Sequence, residues 1–168
     1  MARFQDAIDY VIANEIDPGQ PCKTTIDNDG GVVKFGLNTR SNPDLTYKYG
    51  DRLQRLTLEM AKAEYELRYW LPIMEELASQ RVATKLLDMM VNQGRGDAIN
   101  HLQLAVGLIH PTAHFGPVTL QNANKIYENQ LLDELAEQAR LHYLEVEEHH
   151  PEWKKYDHVW MERAKKLP

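Results

Sequence analysis

Phe4, Ala7, Ile8, Val11 and Ile12 recur three or four residues apart, with Arg3, Gln5, Asp6 and Asp9 between them. That period predicts an amphipathic helix, ended near Glu15 by Pro18 and Gly19. From Thr24 to Leu37 the pattern shifts to short β-prone pieces, "KTTI" and "GVVKFGL", on either side of "DNDGG". Asp, Asn and Gly in that order are turn chemistry, so the segment predicts a small hairpin. "NTRSNPDLTYKYGDR" reads as a loop.

Helical spacing returns at Thr57, a good N-cap, with Glu59 in the favourable first turn. Ala63, Leu67 and Trp70 fall along one side, and Pro72 ends or kinks the helix. "RVATKLLDMMVNQG" predicts a buried helix stopped by Gly94 and Gly96. "DAINHLQLAVGL" predicts another, with Ile99, Leu102 and Val106 on one face and Gly107 at its C-terminal end. Two more are expected over residues 119–127 and 129–147. A last short one holds Trp160 and Met161, anchored to the core with Trp153 and Tyr156. The chain therefore reads as mostly α, with one small β-hairpin near the N-terminus.

Composition narrows the class. Of 168 residues 43% are hydrophobic, enough for a sizeable interior, and the formal net charge is -6. A binder of nucleic acid would carry a basic stripe, and none is seen. The single Cys22 excludes an internal disulfide framework and has no His nearby in sequence to make it a nucleophile. His110 and His114 are four apart, but Pro111 interrupts a helical metal pair, so no metal site is expected. The opening residues are amphipathic and acidic, unlike a secretory signal, and no stretch is apolar enough to insert in a membrane.

The candidate chemistry begins at Glu15. Eleven residues after Phe4, it shares the apolar face at the helix's partially negative end, and both effects favour the protonated acid. A general acid for glycoside cleavage requires that form. Such cleavage also uses a second polar group across the sugar. Asp27 and Asp29 are the candidates, on a turn where Gly30 and Gly31 let backbone approach a sugar closely.

These residues resemble glycoside hydrolase family 108, the lysozyme-like N-acetylmuramidases. Their motif is E-G-G-[YF] followed by D-P-G-G-x-T-x-x-G-[IV]. Here "NEIDPGQ" supplies Glu15 and "NDGGVVKFGL" the second part. "AEYELRYWLPI" resembles the family's Y-x-x-x-Y-W segment through Tyr65, Tyr69 and Trp70. "LLDMMVNQGRGDAINHLQLAVG" resembles a further stretch through Asp88, Val91, Asn92, Gly94, Leu102 and Gln103. "FGPVTL" matches a G-P-x-T step at Gly116, Pro117 and Thr119. The chain departs from the motif at Ile16 and Asp17, where the family has two glycines. Asn28 falls where its aspartate stands, and Val33 where its threonine does; Asp27, Asp29, Thr24 or Thr25 could substitute.

The resemblance implies a lysozyme-like, two-lobed fold, with a catalytic region over 1–93 and a helical peptidoglycan-binding region over 94–168. It implies hydrolysis of the β-1,4 bond between N-acetylmuramic acid and N-acetylglucosamine, with no cofactor and peptidoglycan glycan strands as partner. Glu15 would be the acid, assisted by Asp29 or alternatively Asp27. Tyr69, Asn92, Thr25 and Gly31 would contact the substrate, and Trp70 would be core. A monomer made in a host cytoplasm and acting on the cell wall after release, as a phage endolysin, is expected. A bacterial secretion-associated muramidase and a non-catalytic peptidoglycan-binding protein are the alternatives.

Overall fold

The first apolar run forms α1 (Phe4–Glu15), with Ala7, Ile8, Val11 and Ile12 buried. The computed structural model describes residues 1–15, 23–27 and 29–168. Pro18, Gly19 and Cys22 lie outside the described residues, as do Ile16, Asp17 and Asn28. The described chain is mostly helical with one small antiparallel sheet. It divides into two compact units: Ile8–Trp70, and Met1–Ala7 together with Leu71–Pro168.

In the Ile8–Trp70 unit, β1 (Thr25–Ile26), β2 (Val32–Lys34) and β3 (Leu37–Asn38) form a sheet in the order β1-β2-β3. The expected hairpin is thus extended by a third strand. The turn into it is Phe35-Gly36, both with positive φ (53° and 79°), as a two-residue type I′ connection requires. Phenylalanine in that conformation costs about 1–2 kcal/mol. Burial of its ring and a 3.0 Å hydrogen bond from the Tyr65 hydroxyl to its carbonyl offset that cost.

The stretch expected to be a loop contains α2 (Asp44–Tyr49). Asp44 and Lys48 suit its two ends, and Leu45 is fully buried. α3 (Leu58–Tyr69) starts as expected, with Thr57 Oγ1 accepting from the Met60 amide at 3.2 Å. Its buried face differs from the expected one. Trp70 is 8% exposed, but Leu67 is 74% exposed, and the inward residues are Ala61, Glu64 and Tyr65. Glu64 can lie inside because Tyr49, Lys48 and Arg68 all bond to it.

In the second unit α4 (Gln80–Gln93) is capped by Ser79, whose Oγ accepts from the Val82 amide at 3.1 Å. Gly94, at φ 89°, ends it. Gly96, expected to help stop it, lies instead in the first turn of α5 (Arg95–Ala105). α6 (Pro117–Ala123) begins and ends earlier than the expected 119–127, because Pro117 is already set for a first helical position. α7 (Glu128–His149) and α8 (Asp157–Lys165) complete the unit. α4, α5 and α7 pack on one another, and α8 packs on α7. Trp160 stacks on Tyr143, ring centroids 5.4 Å apart, so it anchors α8 as the sequence suggests. Lys85, 1% exposed, donates to the carbonyls of Arg163, Ala164 and Lys166 and so closes the C-terminal end of α8. Burial pulls its ammonium down to about 8.

Candidate active site

Glu15 is the last residue of α1 and is half-buried. The stem of its side chain lies against the Phe35-Gly36 turn. A Cβ built on Gly36 would stand 3.0 Å from Glu15 Cβ and 3.1 Å from its Cγ, and would collide with the Tyr65 hydroxyl. Only glycine fits there, both for φ and for space. Tyr69, one α3 turn beyond Tyr65, completes this corner, its ring 5.9 Å from that of Tyr65. Burial raises its phenol above the ordinary range, Arg68 opposes that rise, and the Glu15 carboxylate adds to it. Tyr69 thus feels the charge on Glu15.

Asp27 and Asp29 sit at the other end of the sheet. The Asp27 amide donates to the Gly31 carbonyl and the Gly30 amide to the Asp27 carbonyl, each at 2.9 Å. Asp29 Oδ1 accepts from the Gly31 amide at 2.7 Å. Asn38 ties the two acids together: its Nδ2 donates to Asp27 Oδ2 at 3.2 Å and to Asp29 Oδ2 at 3.3 Å. The same side chain leaves no room for a Cβ at Gly31. The expected turn chemistry is therefore present, and an unexpected residue organises it.

Register decides what faces these acids. Val33 is opposite Thr25 on one side and Asn38 on the other. Directly opposite residues project to the same face. Thr25, Val33 and Asn38 thus form a row, with a hydroxyl beside the valine and an amide beyond it. Asn92 is in the other unit, exposed near the end of α4, where its Nδ2 donates to the Asp88 carbonyl at 2.7 Å. Sequence reasoning passed over Asn38, Gly36 and Tyr65 as site residues. Gly36 and Tyr65 stood inside quoted motifs; Asn38 carried no signal, since only pairing places it. Among the described residues, no group of three or more His, Cys, Asp or Glu is placed to hold a metal ion.

A family model described as glycosyl hydrolase 108 matches residues 11–94, half of the chain. The chain belongs to glycosyl hydrolase family 108. It is therefore a glycoside hydrolase by family, and the matched segment holds Glu15, all three strands and Tyr69. Among solved structures, one titled as Brucella abortus SagA is similar to this family 108 chain, with TM-score 0.66 and 21% identity. The match covers 96% of this chain and 92% of that one, a likeness of fold. No curated protein matches. Among the described residues no helix is long and apolar enough to cross a membrane.

Proposed function

We propose that the chain is a muramidase that hydrolyses the β-1,4 bond between N-acetylmuramic acid and N-acetylglucosamine in peptidoglycan. Family membership together with a half-buried carboxylate at the Gly36 corner carries this reading. Glu15 protonates the leaving glycosidic oxygen. Asp29, or alternatively Asp27, stabilises the oxocarbenium-like state or orients water. Two separate donors, the Gly31 amide and Asn38, fix Asp29 in place. Thr25, beside Val33, supplies the hydroxyl that the family's threonine would give, and Tyr69 lines the sugar site next to Glu15.

In this reading residues 1–93 do the chemistry and residues 94–168, with Asn92 at the border, grip the wall polymer. The chain acts as a monomer on the cell wall, as a phage endolysin or a secretion-associated muramidase.

The test is digestion of purified sacculi by wild type and Glu15→Gln, with mass analysis of the released fragments. Wild type is expected to release muropeptides with a reducing muramic acid end, and Glu15→Gln none. Anhydro ends or peptide-cleaved products would reject the reading. Binding of sacculi without release by the wild type would favour a non-catalytic wall binder.

A further inference from the structure

Phe35 is a large residue in a left-handed conformation, in a turn where asparagine or glycine would sit without strain. Outliers of this kind persist where surrounding structure holds them, and they point to function. Here the holder is identifiable. Tyr65, 1% exposed and thirty residues on, donates its hydroxyl to the Phe35 carbonyl at 3.0 Å. The same hydroxyl borders the empty Cβ position of Gly36, and Glu15 Cβ and Cγ border it too. The turn, the hydroxyl and the stem of Glu15 thus meet at one point.

We infer that Tyr65 is a positioning residue for Glu15, its hydroxyl holding the Phe35-Gly36 turn as the wall on which the acid's stem rests. The inference rests on Glu15 being the proton donor. Tyr65 does not need to touch the sugar. Without its hydroxyl the Phe35 carbonyl loses the donor that Tyr65 supplies, and the turn can relax toward an unstrained form. Glu15 then loses its backstop. A shift of about 1 Å at a reacting group can cost on the order of a hundredfold in rate.

The experiment compares wild type, Tyr65→Phe, Gly36→Ala and Glu15→Gln on dye-labelled sacculi, below the melting temperature of each, with circular dichroism to quantify folded protein. Tyr65→Phe keeps the ring and loses only the hydroxyl. The expected result is a fall in kcat of at least tenfold per folded molecule with KM within twofold, since binding surfaces are untouched. Gly36→Ala presses on Glu15 from the turn and is expected to do the same, and it decides the matter if Tyr65→Phe does not fold. Wild-type kcat per folded molecule in the folded variant would overturn the inference, while an inactive Glu15→Gln would leave the acid assignment standing. Full activity of Glu15→Gln would overturn both.

Discussion

The Tyr49 hydroxyl donates to Glu64 Oε1 at 2.8 Å, bringing α2 and α3 together over a carboxylate that is 5% exposed. Arg68 reaches the other oxygen at 2.8 Å and Asp44 at 2.6 Å, and Lys48 lies 3.1 Å from both Glu64 and Asp44. Two acids and two bases make a neutral cluster. Burial alone would raise Glu64, but the bonds from Tyr49, Lys48 and Arg68 outweigh it and hold the carboxyl below its ordinary 4.5.

Replacing Glu64 by Gln is expected to destabilise the protein by on the order of 2–3 kcal/mol. That is less than the 3–5 kcal/mol for a fully buried pair, because the Lys48 side chain is 41% exposed. The folded value lies below the unfolded one, so the carboxylate's contribution is full above pH 4.5 and is lost as pH falls through the folded value. Urea titrations at pH 7 and pH 4 check this. The gap between wild type and variant should narrow at the lower pH.

His101 and His142 form an edge-to-face pair, centroids 5.2 Å apart, and His101 Nδ1 lies 3.0 Å from Gln93 Oε1. Burial lowers both below 6.5. For His101 the neighbouring His142 adds to the fall, while Asp97 and Glu145 oppose it for each ring. The unfolded rings take up protons first, so their contribution is complete above pH 6.5 and lost on acidification. The melting temperature should drop between pH 7.5 and 5.5, and the double variant His101→Gln, His142→Gln should show a smaller drop. Equal drops would reject the assignment.

Thr25→Val removes the one hydroxyl in the Thr25–Val33–Asn38 row. If it holds the attacking water, kcat on sacculi should fall about tenfold, roughly 1.4 kcal/mol of transition-state stabilisation. Adding Val33→Thr to that variant should restore part of the loss, because the two positions are directly opposite. An unchanged kcat would remove Thr25 from the site.

Periodicity was enough for α1, the start of α3, α4 and α7, because each buries a stripe of small and aliphatic residues. It failed where burial is not apolar. Leu67 fell on one side with Ala63 and Trp70 yet is exposed, while Glu64 lies inside because it finds three partners in tertiary structure. β3 was hidden because its turn is Phe-Gly, not Asn-Gly, and the compensation comes from Tyr65, far along the chain. α2 is six residues long, too short for a period to register. For the candidate site, residue types alone singled out the acids Glu15, Asp27 and Asp29. Asn38, which binds the last two, becomes visible only once strands are paired.

The division of the chain has a consequence for dissection. Ala2 donates to the Glu75 carbonyl at 3.0 Å, and Arg3 and Gln80 exchange two hydrogen bonds, all within the unit that resumes at Leu71. A fragment starting at Leu71 would lack these donors and the buried Ala2 and Ala7. Swapping either half with a homologous protein thus needs two splice points, 7/8 and 70/71, and the first falls in the middle of a helix.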